Sequence, residues 1–249
     1  MEDKNRGIIM NAVILAGGKG TRISSIFPDI PKSMIPFQGK PLLQHQIEQL
    51  RLYDIRKIHM CLGYLSDSIT DHFGSGIQLD VDLDYEIETT PQGTAGSLYH
   101  LRDRLTKDFL VINGDIIFNI NLYKLVDYHR AHGGIATLTT HINPHPLDSD
   151  LVETDEQKKV KQIHVRPHAP DFDTSHCAHA GISIFKPKLF EYIIPSKKQN
   201  IEKHLIPAML KDNQSIYAYQ TDEYIHDAGT VEHYHQVVQD LMNGKLSFY

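Results

Sequence analysis

The chain has 249 residues, of which 41% are hydrophobic and 22% are charged, and its formal net charge is −6. This composition is typical of a globular protein and excludes a largely disordered chain, while the acidic balance argues against a general nucleic-acid binder. Two cysteines are too few for a disulfide framework, and the sequence has no apolar run long enough to span a membrane. The N-terminal stretch MEDKNRGIIM has mixed charge and does not resemble a signal peptide. We therefore expect a cytoplasmic protein with neither nucleic-acid nor membrane partners.

Apolar runs alternate with amphipathic segments along the chain. Strands are predicted at 11–16, 57–62, 81–87, 109–113, 135–140, 160–165, 179–185 and 215–219. Helices are predicted at 41–53, 122–132 and 230–243, where apolar residues recur at helical spacing. Such alternation is typical of an α/β fold with a mostly parallel sheet and helices on both faces. The pattern loosens over 141–178, which we interpret as an insertion within a single domain.

The first predicted strand leads into a glycine-rich loop, GGKGTR (17–22). A Walker A loop would need Ser or Thr directly after its lysine, but Gly20 follows Lys19. The dinucleotide-binding fingerprint would need a glycine at the position of Ile23. We expect the loop to bind phosphate oxygens instead, because glycines let backbone N–H groups turn toward an anion and Arg22 adds positive charge. The alternative is a tight strand-to-helix turn that binds no ligand.

A second segment, IPKSMIPFQGKPLLQHQIEQL (30–50), places Lys32 in a loop that is stiffened by prolines. Together the two segments resemble the signature of the sugar-1-phosphate nucleotidyltransferases, LAGGxGTRL followed by PKPMxPxxxKPxLE. Further blocks occur in the order typical of that family: ETTPQGTAGSL (88–98), VINGD (111–115), HAGISIF (179–185) and HDAGTVEHY (226–234). Ordered blocks that span nearly the whole chain argue against chance agreement.

The resemblance implies a Rossmann-like, GT-A-like α/β fold with a mixed, mostly parallel sheet. It implies a single nucleotidyltransferase domain over 1–249, with a nucleotide-binding half at about 8–140 and a sugar-binding half at about 141–249. The implied reaction transfers a nucleotidyl group from an NTP to a sugar 1-phosphate and releases pyrophosphate. Both substrates are polyanions, so the site needs cations and a metal ion, for which Mg²⁺ is expected.

The family pattern assigns this chemistry to four charged residues. Arg22, Lys32 and Asp115 are the expected catalytic residues, and the two cations would neutralise the triphosphate and the transition state. Asp115 and Asp227 would hold Mg²⁺, which takes one or two carboxylates together with phosphate oxygens. Without the resemblance, the two cations could equally be exposed surface residues, and Asp227 could be an ordinary turn residue.

The nucleotide is expected to contact residues in the first part of the chain, namely Leu15, Ala16, Gly17, Gly18, Gly20, Thr21, Glu88, Gln92, Gly93, Thr94, Asn113 and Gly114. Gln92 stands where the family usually has leucine. Glu88 is expected to influence the choice of base, because guanine offers two adjacent N–H donors that suit a carboxylate. Uracil and thymine offer one donor between acceptors, which suits an amide better. This favours GTP, with UTP or dTTP as the alternative.

The sugar-binding half departs from the family pattern. By the resemblance, the sugar phosphate would contact Glu153, Arg166, His179, Ala180 and Gly181. The usual Glu-Lys-Pro is Val-Arg-Pro here, and the usual Asn-Ala-Gly is His-Ala-Gly, so the identity of the sugar stays open. Arginine can still bind a phosphate, with two N–H groups where lysine presents a point charge.

The stretch HPLDSDLVE (145–153) resembles a segment of bacterial guanylyltransferases that act on D-glycero-D-manno-heptose 1-phosphate or mannose 1-phosphate. Some of these are fused to a heptose bisphosphate phosphatase. No phosphatase motif lies within this sequence, so a fused or partner phosphatase, like a homo-oligomer, is an expectation that the sequence leaves open.

Other interpretations stay open at this point. A glycosyltransferase would need an Asp-x-Asp motif after a central strand, where this chain has a single Asp115. A non-catalytic regulatory protein would be expected to have lost one of the four charged residues, and all are present. Histidines in HINPHP (141–146) and HVRPH (164–168) could bind a metal, but we interpret them as surface loop residues.

Overall fold

The computed structural model describes residues 7–143, 145–169, 171–173 and 175–248. In chain order the strands are β1 (Asn11–Ala16), β2 (Pro36–Phe37), β3 (Lys40–Pro41), β4 (Lys57–Leu62), β5 (Asp82–Ile87), β6 (Phe109–Asn113), β7 (Ile116–Asn119), β8 (Ala136–His141), β9 (Leu151–Thr154), β10 (Val160–His164), β11 (Cys177–Phe185), β12 (Ile216–Gln220) and β13 (Tyr224–Asp227). The α-helices are α1 (Leu42–Leu52), α2 (Ser66–Phe73), α3 (Gly93–Tyr99), α4 (Leu122–His132), α5 (Ile206–Lys211) and α6 (Val231–Met242). Among the described residues, no helix has both the length and the apolar character needed to cross a membrane.

The chain divides into two compact units. The first unit comprises Met1–Pro91, Ile112–Tyr123 and Glu223–Tyr249. The second unit comprises Gln92–Val111 and Lys124–Asp222. The segment that begins at Glu223 therefore returns to the unit that contains the glycine-rich loop.

Three parallel strands of the sheet, β1, β4 and β5, belong to the first unit, and the glycine-rich loop follows β1. Ile58 of β4 lies opposite Ala12 of β1 and opposite Leu83 of β5. The strands β1 and β4 are almost entirely buried, which explains why they occur in the sequence as continuous apolar runs. Because carboxyl ends of parallel strands meet at one edge, the loops after Ala16 and Leu62 lie together there.

In the first unit, β7 and β13 form a short antiparallel pair, in which the end of β13 lies beside the start of β7. Ile116 lies opposite Asp227 in this register. The side-chain amide of Gln46, on α1, donates to the carbonyls of Asn113 at 3.0 Å and Ile116 at 2.6 Å. It therefore fixes the turn that joins β6 to β7.

A buried apolar cluster lies behind this pair and includes residues from β2, α1, β7 and α6. Its members are Ile23, Ile35, Phe37, Leu42, Ile117, Ala228, Val237 and Leu246. The helix α6 begins after Thr230, whose Oγ1 accepts a hydrogen bond from the backbone N–H of His233 at 3.1 Å. A threonine at this position satisfies one of the free N–H groups at a helix start.

The second unit is built around β8, which pairs with β12 in parallel and with β11 in antiparallel orientation. The strand β11 also pairs with β9, and β9 pairs with β10, both in antiparallel orientation. Phe109 is fully buried here and its ring lies 5.7 Å from that of Phe190. The sheet is therefore mixed, with its antiparallel pairs concentrated in this unit.

The strand and helix predictions are largely confirmed. The predicted bounds of β1, β4 and β6 coincide with the observed ones, and α4 is found at the predicted residues. The loose stretch 141–178 contains the predicted β10 and an additional strand, β9. Pro144, Pro170 and Thr174 of this stretch lie outside the described residues. The interpretation of the histidines as loop residues is wrong for His141 and His164, which end β8 and β10.

Candidate functional site

The glycine-rich loop follows β1 and packs closely against its neighbours in the first unit. A Cβ at Gly63 would lie 2.8 Å from the carbonyl oxygen of Gly17, so the loops after β1 and β4 touch through their backbones. Gly20 has φ +63°, and a Cβ there would lie 2.8 Å from Cβ of Lys32. A Cβ at Gly18 would meet no atom of the described residues within 4 Å. Packing therefore explains Gly20 in this loop and Gly63 in the neighbouring loop, but it does not explain Gly17 or Gly18.

Lys32 begins a short 3-10 turn, Lys32–Met34, and its side chain is only 14% exposed. Its ammonium group donates to the carboxylate of Asp115 in a short contact. A Cβ at Gly229 would overlap the same ammonium group, so this glycine leaves the space that Lys32 occupies. The structure thus brings the predicted Lys32 and Asp115 together beside the start of α6.

Asp115 and Asp227 are neighbours across the β7–β13 pair. The backbone N–H of Ala228 donates to the carbonyl of Asp115 at 2.8 Å. Gly114, directly before Asp115, donates its N–H to the carbonyl of Leu15 at 2.9 Å, and a Cβ at Gly114 would lie 2.9 Å from that of Ala16. The turn that carries Asp115 is therefore held against the end of β1, where the glycine-rich loop begins.

Asp227 is kept ionised by its surroundings, although its side chain is only 32% exposed. Burial opposes its ionisation, but the hydrogen bond and charge of His233, the N–H of Gly229 and the charge of Lys32 outweigh burial and hold the pKa of Asp227 well below its ordinary value. Asp227 Oδ1 lies 2.9 Å from His233 Nδ1 and accepts from Gly229 N–H at 2.8 Å. The carboxylate is therefore charged and available as an oxygen ligand at neutral pH.

His233 is a member of this site that the sequence analysis did not identify. Its hydrogen bond to Asp227 raises its pKa, while burial and the charge of Arg22 oppose the increase. Arg22 itself is exposed at the end of the glycine-rich loop. His233 lies within the block HDAGTVEHY (226–234), where its position is that of an ordinary first-turn residue of α6.

The residues of this site fit the Mg²⁺ ion that the family pattern implies. Asp115 and Asp227 supply carboxylate oxygens from adjacent backbone positions, and Asp227 is held in its charged form. Mg²⁺ is commonly bound by one or two carboxylates, with phosphate oxygens completing its coordination. The ammonium group of Lys32 contacts the carboxylate of Asp115, so a cation already compensates the negative charge of that aspartate.

In the second unit, the predicted nucleotide residues Gln92, Gly93 and Thr94 are held by a segment near residue 200. The backbone N–H of Gln199 donates to the carbonyl of Gln92 at 2.8 Å, and Thr94 Oγ1 accepts from Ile201 N–H at 2.9 Å. Gly93 has φ +78°, and a Cβ there would overlap the carbonyl of Gln199. The glycine is therefore required at this start of α3 by both conformation and contact.

The residues predicted to contact the sugar phosphate fall into two groups in the second unit. Arg166 and His179 both contact Asp150. The backbone N–H of Arg166 donates to the carboxylate of Asp150 at 3.0 Å, and the backbone N–H of His179 donates to the carbonyl of Asp150 at 2.8 Å. Glu153 instead contacts His164, with Oε2 and Nε2 3.2 Å apart. Asp150 was not identified from the sequence, although it lies in the stretch HPLDSDLVE (145–153), because its contacts are made only in the folded chain.

His179, Ala180 and Gly181 lie in an irregular part of β11. The register with β8 shifts between His179 and Ser183, and Gly181 has φ +71°. The His179 side chain is 6% exposed, lies 2.9 Å from Ser183 Oγ and 3.7 Å from Glu202, and burial lowers its pKa to about 4. At neutral pH this histidine is uncharged, so it can offer a hydrogen bond but no positive charge to a phosphate.

Comparison with known proteins places the chain in a family. The sequence model of the nucleotidyl transferase family matches residues 11–244. A mannose-1-phosphate guanylyltransferase from Mycobacterium tuberculosis is 30% identical over 237 residues, which cover 94% of this chain and 65% of that protein. A UTP–glucose-1-phosphate uridylyltransferase from Synechocystis is 30% identical over 251 residues, with 95% and 64% covered. The chain thus spans less than two thirds of the length of these curated relatives.

A solved structure agrees with the family match. HddC from Yersinia pseudotuberculosis superposes with a TM-score of 0.80 at 26% identity, covering 93% of this chain and 99% of that one. HddC has also been solved in complex with GMP-PN, and that structure superposes with a TM-score of 0.79. The predicted α/β fold with a mixed, mostly parallel sheet is confirmed by this likeness. Because the family model matches nearly the whole sequence, this chain belongs to the nucleotidyl transferase family.

Proposed function

We propose that the chain transfers a nucleotidyl group from an NTP to a sugar 1-phosphate and releases pyrophosphate. The observation that carries this proposal is the group formed by Lys32, Asp115 and Asp227 in the first unit, beside the strand end where the glycine-rich loop begins. Gly18 supports it, since no packing contact within the described residues requires a glycine there. A close approach of the backbone to phosphate oxygens does require one.

In this reaction an oxygen of the sugar phosphate forms a bond to the α-phosphorus of the NTP. The bond from the α-phosphorus to the bridging oxygen breaks, and its electron pair leaves with pyrophosphate. Lys32 and Arg22 would compensate the negative charge of the phosphates, and Asp115 and Asp227 would hold Mg²⁺, which supplies Lewis-acid stabilisation when bound. The carboxylate of Asp227 stays charged because its surroundings favour the ionised form.

We propose GTP as the nucleotide. The relatives include a mannose-1-phosphate guanylyltransferase, and HddC binds a guanine nucleotide analogue, although a uridylyltransferase is equally similar in sequence. Glu88 directly follows β5, and its Oε2 lies 3.7 Å from the Cβ position of Gly17. A carboxylate beside the glycine-rich loop suits the paired N–H donors of guanine.

Glu88 provides a test of this choice of base. In Glu88→Gln, we expect the ratio of kcat/KM for GTP to that for UTP to fall roughly tenfold, because a charged hydrogen bond to guanine is lost. The matched control is Glu86→Gln, on the same strand. An unchanged ratio in Glu88→Gln would assign base recognition to other residues.

For the acceptor we propose mannose 1-phosphate or a manno-heptose 1-phosphate. Arg166, in the second unit, is the residue best suited to its phosphate, because the guanidinium is 45% exposed and permanently charged. Asp150 contacts both Arg166 and His179, so we assign it a positioning role for them. A cytoplasmic location, a homo-oligomer and a partner phosphatase stay predictions from the sequence.

The test is pyrophosphate release from a matrix of ATP, CTP, GTP, UTP and dTTP against mannose, glucose, N-acetylglucosamine and manno-heptose 1-phosphates, with Mg²⁺. We expect release with GTP and with mannose or heptose 1-phosphate. Release with UTP or dTTP would keep the reaction and overturn the choice of base. If no combination releases pyrophosphate while nucleotide sugars bind in calorimetry, the chain is a binding protein and the proposed catalysis is wrong.

A further inference from the structure

A histidine–carboxylate cluster lies at three neighbouring strands of the second unit, and of its members only Glu153 is among the residues expected to contact the sugar phosphate. Glu153 lies on β9, His164 ends β10 and His176 immediately precedes β11. In the described part of the chain, these are the residues whose potential ligand atoms form a group suited to a metal ion. Their side chains are 33%, 17% and 24% exposed, so all are partly buried but reachable from solvent.

The register of the strands explains why these residues meet. Glu153 lies opposite Gln162, and His164 follows two positions later on the same face of β10. On the other side, Cys177 lies opposite Val152, so the preceding residue, His176, lies beside Glu153. The central strand thus contributes the carboxylate, and each neighbouring strand contributes one imidazole to the same face.

The distances are close to those that a bound ion needs. The three ligand atoms all lie within 4.8 Å of one another, and Glu153 Oε2 is 3.2 Å from His164 Nε2. Ligands bound about 2.1 Å from a tetrahedral ion are about 3.4 Å apart. The two imidazole rings are nearly parallel, at 12°, with centroids 5.4 Å apart. Binding of an ion therefore requires these atoms to approach one another by at most about 1.4 Å, the difference between 4.8 Å and 3.4 Å.

Neighbouring residues favour a cation at this position. The ring of Phe172 packs against His164 with centroids 5.0 Å apart, which restricts the orientation of the imidazole. Asp173 Oδ2 lies 3.9 Å from His176 Nε2, and Asp173 Oδ1 is fixed by the N–H of Ser175 at 2.9 Å. A second carboxylate held near the ligands orients them and adds negative charge.

We propose that Glu153, His164 and His176 bind one Zn²⁺-class ion, with the fourth coordination position open to water. Two imidazoles and one carboxylate are a common ligand set for zinc, whereas Mg²⁺ prefers oxygen ligands only. This ion is different from the Mg²⁺ expected at Asp115 and Asp227, which belong to the first unit. The ion ties the three strands together. In this proposal Glu153 is a ligand of the metal rather than a contact of the sugar phosphate.

The experiment measures Zn²⁺ and Co²⁺ binding to the metal-free chain in the presence of excess Mg²⁺. We expect one Zn²⁺ per chain by calorimetry and elemental analysis, the visible d–d bands of tetrahedral Co²⁺, and a Tm increase of roughly 5 °C or more at saturating Zn²⁺. His176→Ala and Glu153→Gln should lower Zn²⁺ affinity at least tenfold, since each removes a ligand. His145→Ala, at an exposed histidine, is the matched control and should bind like the wild type.

Three results would overturn the proposal. The first is an absence of Zn²⁺ uptake by the wild-type chain. The second is Zn²⁺ binding that persists unchanged in both ligand variants but is lost in Asp227→Asn, which would place the ion at the carboxylates of the first unit. The third is a loss of Zn²⁺ affinity in His145→Ala that equals the loss in the ligand variants. Glu153→Gln keeps the size of the side chain, so it decides the matter if His176→Ala fails to fold.

Discussion

At the residue scale, the position of Lys32 depends on two residues that have no side chain. Gly20 and Gly229 each lie where a Cβ would collide with Lys32, at Cβ in one case and at the ammonium end in the other. The two glycines thus leave room for the lysine at both ends of its side chain, and this directs the ammonium group to Asp115. These glycines belong to the family motifs, and the structure gives them a packing reason.

Gly229→Ala tests this space directly. The new Cβ would overlap the end of a flexible side chain, so we expect the fold to persist while Lys32 moves away from Asp115. A displacement of this size lowers kcat by roughly 10–100-fold. The measurement is steady-state kinetics together with the Tm of the variant.

The control for this prediction is a double-mutant cycle with Lys32→Ala. If the glycine acts through the lysine, Gly229→Ala has little further effect on kcat in the Lys32→Ala background. Full additivity of the two losses would show that Gly229 serves another purpose.

The two aspartates near Lys32 can be tested by removing their charge. Asp115→Asn and Asp227→Asn should each lower kcat at least about 100-fold with the fold intact, because an amide replaces a charged oxygen ligand. Asp222→Asn, at an exposed aspartate near β13, should behave like the wild type. Turnover at the wild-type rate in both site variants would refute the metal assignment.

At the element scale, the short β7–β13 pair aligns the two aspartates. Ile117 lies on β7 opposite His226 and is 1% exposed within the apolar cluster that includes Val237 of α6. The position of α6 and the register of the pair therefore depend on the same buried side chains.

Ile117→Ala is expected to lower the free energy of unfolding by roughly 2–5 kcal/mol, because it removes a buried side chain and leaves a cavity. Ile77→Ala, where the side chain is 80% exposed, should change it by less than about 0.5 kcal/mol. Urea unfolding of both variants measures the difference. Equal effects would contradict the role given to the cluster.

The same elements show what the sequence could predict. Strands β1 and β4 are buried, so they occur as continuous apolar runs with clear ends. The pairs β2–β3 and β7–β13 have strands of two to four residues, too short for a periodic signal, and the partners of β7–β13 are about a hundred residues apart. The π-helical turn Ile201–Leu205 before α5 was missed for a similar reason, since it depends on contacts with Gln92 and Thr94 through its neighbouring residues.

The site was predictable where residues occur in motifs. Lys32 and Asp115 were identified because each follows a recognisable sequence block, and the structure brings them into contact. His233 and Asp150 were not, although both lie within quoted sequence blocks, because each acts through a partner that is fixed only in the folded chain. Sequence patterns identify the ligands of a site more readily than the residues that orient them.

At the scale of the whole molecule, stability depends on the protonation of buried histidines. Burial lowers the pKa of His179 to about 4, below the ordinary value of 6.5. Between these values the unfolded chain binds more protons than the folded one, so stability falls as the pH falls from about 6.5 to about 4. The pKa values of His45 and His129 are lowered by burial as well, and they contribute in the same direction.

His179→Gln isolates the contribution of one histidine. The variant should lose less stability than the wild type over that range of pH, because glutamine does not titrate. Urea unfolding at several pH values gives the two slopes. The same slope for both chains would mean that His179 gains its proton without cost in the folded state.

The first unit gathers three separate segments of the chain, and the two aspartates come from different ones. Sequence order does not reveal this arrangement, because Asp227 follows the whole of the segment Lys124–Asp222 that builds the second unit. We propose that these returning segments form a centre for attack at the α-phosphorus.

The most direct measurement follows the label from GTP that carries radioactive phosphorus at the α position, incubated with Mg²⁺ and mannose 1-phosphate or manno-heptose 1-phosphate. We expect that the label enters a nucleotide sugar, that the pyrophosphate is unlabelled, and that Asp227→Asn forms neither product. Label that appears in free GMP or GDP, or a nucleotide sugar formed equally well by the variant, would contradict this proposal.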